Sequence, residues 1–148
     1  MSRNTLVTHI TLWVNRAVAL FIIALLPTFP MLLDWYSSLR PLIATAQMAL
    51  MVAFYICALI TLLALWNVEC LLRSILKEQI FIEKNVRNIG AVRWCCAAIS
   101  LVCAPAAVFY PPLIFMVAIM AFLALVITVL VRVMTAAVEL REENDLTI

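Results

Sequence analysis

The chain has 148 residues, of which 68% are hydrophobic and 12% charged, with a formal net charge of +2 and a single glycine, Gly90. A water-soluble domain of this size has too little interior to hide so much apolar surface, so a soluble globular protein is excluded. The remaining class is a membrane protein, with no room for a second domain.

Four apolar stretches follow one another: Leu12–Leu33, Leu42–Trp66, Trp94–Tyr110 and Leu113–Val131. Each is close to the roughly 20 residues that carry a helix across a bilayer. Only a helix crosses lipid in single segments of this kind, because its N–H and C=O groups are paired internally. The predicted helices run over about 12–33, 42–76, 83–110 and 113–140, in one transmembrane domain covering 1–148.

The first stretch is not read as a signal peptide. Arg16 precedes an apolar run with no small-x-small cleavage site, and Pro27 and Pro30 interrupt its far end. It is expected to remain as a helix. Asp34–Pro41 then joins the first two helices, and Tyr110-Pro111-Pro112 joins the last two. Connections this short force antiparallel neighbours, so the chain reads as two hairpins. Pro41-Leu42-Ile43 and Pro112-Leu113-Ile114 echo one another, with proline at the tolerated first helical position.

The middle connection, at about 67–93, is longer and carries helix signals at both ends. Glu69→Arg73 and Glu83→Arg87 are i,i+4 pairs in the favourable order, each contributing a few tenths of a kcal/mol. Between them, Ile80-Phe81-Ile82 is an apolar triplet expected at the membrane interface or beneath the bundle. Small faces, Ala46, Ala49 and Ala53 with Ala97, Ser100 and Ala104, are expected to hold helices two and three together, since close approach rather than water exclusion drives association in lipid.

Orientation follows from the cations. Nine of the ten Lys and Arg fall on the side of the two chain ends and the middle connection; only Arg40 falls on the other. Positive charge marks the cytoplasmic side. Aromatic rings agree: Trp13, Trp66 and Trp94 would sit at the inner interface and Trp35, Tyr36 and Tyr110 at the outer one. The expected fold is therefore all-α, an integral membrane four-helix bundle of two antiparallel hairpins, N-in/C-in.

Residues suited to chemistry are few. No ionisable side chain falls in the middle of a span, where one would mark an ion or proton pathway. Small four-span multidrug exporters place a glutamate inside their first helix, and this first helix has no acid. The embedded polar residues are Thr28, Thr45, Gln47, Tyr55, Thr61, Ser100 and Thr128, and such groups commonly bond one helix to the next at about 0.6 kcal/mol each. The five cysteines form no C-x-x-C and avoid the outer face, so they read as small packing residues, with Cys95-Cys96 near the inner interface. His9 has no ligand partner at metal spacing. No nucleophile–base arrangement or phosphate loop is present. The chain is expected to be non-enzymatic, with no metal or cofactor and no direct contact with nucleic acid.

One electrostatic contrast stands out. Asn67–Arg93 carries a net charge of +2, whereas Arg132–Ile148 carries −2, most of it in an acidic tail at 139–148. Opposite signs on one small face invite loose self-pairing or a shared partner, since exposed pairs each contribute under about 1 kcal/mol. Asn144 and Asp145 are expected to end the fourth helix, leaving Leu146 and Ile148 as anchors of an extended segment.

The segment Glu142-Glu143-Asn144-Asp145-Leu146-Thr147-Ile148 resembles the end of a family of small bacterial four-span membrane proteins, named as a domain of unknown function. Its members commonly end in Glu-Asn-Asp-Leu-Thr-Ile. They also carry an aromatic-x-x-x-Asn-Val-Arg-x-x-x-Gly pattern, similar to Phe81-Ile82-Glu83-Lys84-Asn85-Val86-Arg87-Asn88-Ile89-Gly90 with the spacing compressed before Gly90. Relatives often have a Gly-x-Pro turn where this chain has Lys77-Glu78-Gln79-Ile80. The resemblance implies a multi-pass protein of the bacterial cytoplasmic (inner) membrane. Family members are often encoded beside a small helix-turn-helix regulator, which implies a cytosolic partner. The leading expectation is a membrane protein that docks such a regulator through Asn85, Arg87, Glu143, Asn144, Asp145, Leu146 and Ile148. The alternative is a small transporter or immunity-type protein acting on a lipophilic compound or peptide within the bilayer. Self-association is left open.

The charge asymmetry yields a direct test. With cysteines introduced singly into a Cys-free background, an impermeant thiol reagent added outside should label position 37 and spare position 79. The reverse pattern would invert the topology.

Overall fold

The computed structural model describes residues 3–80 and 82–147; Phe81 and Ile148 lie outside the described residues. Four helices account for nearly all of them: α1 (Arg3–Leu39), α2 (Ala44–Leu76), α3 (Glu83–Phe109) and α4 (Leu113–Leu146). No strand is found among the described residues. Each helix is long and apolar enough to cross a membrane, the pattern of a multi-pass membrane protein. At a rise of about 1.5 Å per residue, α1 is about 55 Å long and α4 about 51 Å, well beyond a hydrocarbon core of about 30 Å. The helices therefore overshoot the apolar segments that define them, α1 at its start and α4 at its end.

Pro27 and Pro30 lie inside α1, which continues through both. A proline has no N–H to give to the carbonyl four residues earlier. For Pro30 that carbonyl belongs to Leu26, and the Tyr55 hydroxyl of α2 donates to it at 3.0 Å. Phe29 stacks on Phe54 with centroids 3.7 Å apart, and Tyr55 meets Phe29 edge-on at 6.4 Å. A polar gap left by the backbone is thus closed by a neighbouring helix, as lipid requires.

The α2–α3 connection is built from backbone bonds. Gln79 N–H donates to Ser74 O and Glu78 N–H to Ile75 O, both at 3.1 Å, which is the paired pattern of a Schellman helix end. That pattern needs a left-handed residue, and Glu78 supplies it with φ 59°. Glycine adopts this conformation without the Cβ clash that costs other residues about 1–2 kcal/mol. A glycine in a Gly-x-Pro turn would meet the same requirement at this position.

Two boundary expectations change. Pro41 lies outside α2, whose N-cap is the extended residue Ile43, and Pro112 is itself the N-cap of α4. The two Pro-Leu-Ile segments therefore open their helices differently. Asn144 and Asp145 do not stop α4, which stays helical through Leu146; Thr147 closes its last turn, its Oγ1 donating to Glu143 O and Asn144 O at 3.1 and 3.0 Å. The Thr147 N–H also donates to Glu143 O at 3.2 Å, so carbonyls of the last turn stay paired beyond the Asn-Asp pair.

Packing runs in chain order: α1 on α2, α2 on α3, and α3 on α4, while α1 and α4 make no backbone contact with one another. Along α1 and α2, Asn15 meets Leu65, Leu26 meets Tyr55, and Asp34 meets Gln47. The core is small-residue in character. Ala46, Ala53 and Ala58 of α2 are buried, as are Ile89, Cys95, Ile99, Cys103 and Ala106 of α3. Cys57 and Cys103 touch across this seam, Sγ to Sγ 3.6 Å. No α4 residue is buried. Ala97, Ser100 and Ala104, expected against α2, instead line a groove between α3 and α4. Helix α3 has neighbours on two sides, and only one of its small faces serves the α2 seam.

Overpacking the seam should be costly. Ala53→Leu forces methylenes between α2 and α3 and should lower stability by about 1–3 kcal/mol. Leu101→Ala, on an exposed face, should leave it nearly unchanged. Thermal denaturation in mild detergent measures both.

Candidate functional site

Four helical segments continue beyond the apolar runs into charged sequence. They comprise α1 before Leu12, α2 beyond Trp66, α3 before Trp94 and α4 beyond Val131. The last of these, residues 132–146, extends about 22 Å at helical rise. With the α2–α3 connection, the four segments hold eight of the chain's ten Lys and Arg; Arg16 falls inside the first apolar run and Arg40 between α1 and α2.

Glu69 organises the α1–α2 side. Its Oε1 accepts from Arg16 Nε at 3.1 Å and Nη2 at 3.0 Å, and from Arg73 Nη2 at 2.6 Å. One oxygen thus gathers two guanidinium groups from two helices, while the Glu69 side chain keeps only 17% of its exposure. Arg16 also lies over the Trp13 ring at 6.0 Å, and Asn15 Nδ2 donates to Leu65 O at 3.2 Å. Glu69 lies beyond Trp66, where the apolar run of α2 ends. Arg73 and then Arg16 hold its carboxyl below the usual range. The expected Glu69–Arg73 pair is present; the expected Glu83–Arg87 pair is not formed. The sequence places Arg16 at the start of an apolar run and does not disclose its acid. With Asn15 set beside Leu65, Glu69 lies one helical turn farther along α2, within reach of the long Arg16 side chain.

Asn85 organises the α2–α3 side. Expected on a docking surface, it is fully buried, at 0% exposure. Its Nδ2 donates to Gln79 O at 2.7 Å and to Ile80 O at 2.9 Å, so it ties the connection to the first turn of α3. Asn85 Oδ1 and, one turn on, Asn88 Nδ2 are buried without a protein partner among the described residues. The role visible for Asn85 is positioning, since a side chain with no surface has nothing to present to a partner.

Arg87 is exposed and forms no ion pair among the described residues. Glu143, Asn144, Asp145 and Leu146 are exposed along the last turns of α4, and Ile148 lies outside the described residues. No hydrogen bond or ion pair among the described residues links this tail to Asn85, Arg87 or Arg93. The expected self-paired surface is thus two separate exposed features carried by neighbouring helices. On α4, Val133, Leu140 and Asn144 share one face at i, i+7 and i+11, and Glu139, Glu142 and Leu146 share another. Leu140 is 66% exposed and Leu146 86%.

Three of the embedded polar residues, Gln47, Tyr55 and Ser100, are engaged within the protein. Gln47 Nε2 donates to Asp34 Oδ1 at 3.0 Å, the Tyr55 hydroxyl to Leu26 O, and Ser100 Oγ to Val117 O at 3.1 Å. Among the described residues no group of three or more His, Cys, Asp or Glu could hold a metal ion.

Comparison with known families gives a match over residues 5–148 to the family described as "Protein of unknown function (DUF2975)". No curated protein and no solved structure matches the chain.

Asn85→Ala should destabilise the fold by about 1–3 kcal/mol through lost hydrogen bonds to two carbonyls, and should speed proteolysis within 77–82. Arg87→Ala should leave both unchanged. The depressed Glu69 carboxyl contributes stability that is present above the normal carboxylate range and lost as pH falls through its lowered folded-state value. Glu69→Gln should therefore blunt the acid-side fall in melting temperature.

Proposed function

The chain belongs to the DUF2975 family, and from that premise we propose that it is a non-enzymatic membrane protein that docks a cytosolic partner at its charged end. The topology proposed is N-in/C-in in a bacterial cytoplasmic membrane, with two antiparallel hairpins. Nine of ten Lys and Arg at one end support the orientation. The sequence of α1–α2 contacts, Asn15 with Leu65 and then Asp34 with Gln47, supports the antiparallel pairing.

The observation that carries the docking reading is the helical extension of α4. Leu140 and Leu146 stand exposed in a segment that has left the apolar run, flanked by Glu139, Glu142, Glu143 and Asp145. Exposed leucines on a charged, water-facing helix are uncompensated apolar surface, and a partner that covers them gains free energy. The extended-strand mode expected from the sequence gives way to a helix-docking mode, with Val133 and Leu140 seven residues apart on one exposed face and Leu146 on a second face at the helix end. Arg87 supplies a separate positive contact, and Asn85 holds the connection that presents it.

The partner chemistry that fits is a small protein with an apolar groove edged by Lys and Arg. A helix-turn-helix regulator of the kind encoded beside family members has the basic surface that an acidic helix would meet. Docking there would set the regulator's DNA-binding face in competition with α4.

The test is capture of that regulator by the full chain in native membranes. Leu140→Glu with Leu146→Glu should reduce capture about tenfold or more, while helix content and membrane insertion stay normal. Arg87→Ala should reduce it by less. Undiminished capture in the double variant would remove α4 as the docking element. Function lost instead in Gln47→Ala, Tyr55→Phe or Ser100→Ala, with capture intact, would favour transport.

A further inference from the structure

Helices α3 and α4 leave between them a groove of about 630 Å³. Small residues line it, Ala97, Ser100 and Ala104 from α3 and Ala121, Ala124 and Thr128 from α4, together with Leu101 and Leu125. The two hydroxyls are already used, Ser100 donating to Val117 O at 3.1 Å and Thr128 to Ala124 O at 2.7 Å. Along its depth the groove therefore offers methyl and methylene contact and no free side-chain donor.

The charged end is different. Arg93 and Trp94 line the groove there, with the guanidinium 5.4 Å from the indole centroid. Arg132 continues the α4 stripe one turn beyond Thr128 and is exposed. Neither arginine has a carboxylate partner among the described residues. An apolar trough thus ends at the unpaired Arg93 of α3, and the unpaired Arg132 stands one turn beyond Thr128, a lining residue on α4. From Arg93 to Ala104 it follows α3 for about 16 Å, long enough for a substantial part of an extended acyl chain.

We propose that this groove binds an anionic phospholipid from the adjoining leaflet, with one acyl chain along the alanine-lined trough and the phosphate at Arg93 and Arg132. Basic pockets between transmembrane helices recognise anionic headgroups in this way, and each nearby Lys or Arg strengthens the attraction. Charge complementarity selects lipid over a second copy of the chain. None of the four apolar segments contains an acid that another copy could bring into the bilayer beside Arg93. The site faces the membrane and is independent of the docking surface on α4.

The full chain, purified in mild detergent, would be titrated with phosphatidylglycerol and with phosphatidylcholine of identical chains, and read by native mass spectrometry. Phosphatidylglycerol should bind about tenfold more tightly. Arg93→Gln with Arg132→Gln, both at helix surfaces, should bring the two lipids to parity while leaving the melting temperature in detergent unchanged. Ala97→Leu with Ala124→Leu should reduce binding of both lipids by filling the trough. Equal binding in the unmodified chain would overturn the proposal, as would a preference that survives the double arginine substitution. A dimer that excludes lipid and reverts to monomer on widening Ala124 would overturn it in favour of a second copy.

Discussion

In hydrocarbon a backbone N–H or C=O has no water to turn to, and every other feature of this protein is arranged around that deprivation. It makes four uninterrupted helices the only economical form for the apolar segments. It also explains why the breaks are repaired in the way observed. Pro30 removes the donor that Leu26 O would have used, and the Tyr55 hydroxyl of the next helix takes its place. The aromatic stack of Phe29 on Phe54 fixes Tyr55 beside that gap, so that one local defect specifies how α1 and α2 align. Where the chain re-enters water the requirement relaxes, and the α2–α3 connection tolerates a left-handed Glu78 held by a Schellman pair and by Asn85.

Holding the helices together is a separate problem, because lipid tails compete for apolar contact as well as leucine does. The structure solves it with different means at different depths. Between α2 and α3 the seam is alanine, cysteine and isoleucine, allowing close approach. At the charged end, α1 is fastened to α2 through a single carboxylate oxygen shared by Arg16 and Arg73. At the opposite end the hydroxyls of Tyr36 and Tyr110 meet at 2.8 Å, bringing the end of α1 to the turn between α3 and α4. The seam and the two polar end contacts therefore divide the work by depth.

The helices were legible in the sequence because they rest on an additive property, apolar length. Helix ends at Leu76 and Glu83 agree with the predicted positions, since the charge pattern changes there. What eluded sequence reading was relational. Glu69 looked like half of a local pair until α1 was laid beside α2 and supplied Arg16. Asn85 looked like a surface residue because asparagine is usually exposed, yet the fold uses its amide to gather two carbonyls. Ala97 and Ser100 were assigned to the wrong neighbour, because a stripe of small residues specifies closeness without naming the helix approached. The tail was read as extended from local propensity, and the Thr147 hydroxyl at the end of α4 outweighed it.

Among the described residues, backbone contacts between helices join chain neighbours only, and α4 meets α3 alone. The order of packing is therefore the order of synthesis. When a segment leaves the ribosome and enters the bilayer, its partner is already there, and among the described contacts the Tyr36–Tyr110 pair is the one that waits for a later span. Helix contacts between sequence neighbours also keep loop-closure entropy low, the condition under which chains assemble quickly. A closed ring of helices would hold its first span unpaired until its last arrived. This open row lets the nascent chain cover each new surface as it appears, shortening the interval in which an exposed span can pair with the wrong molecule.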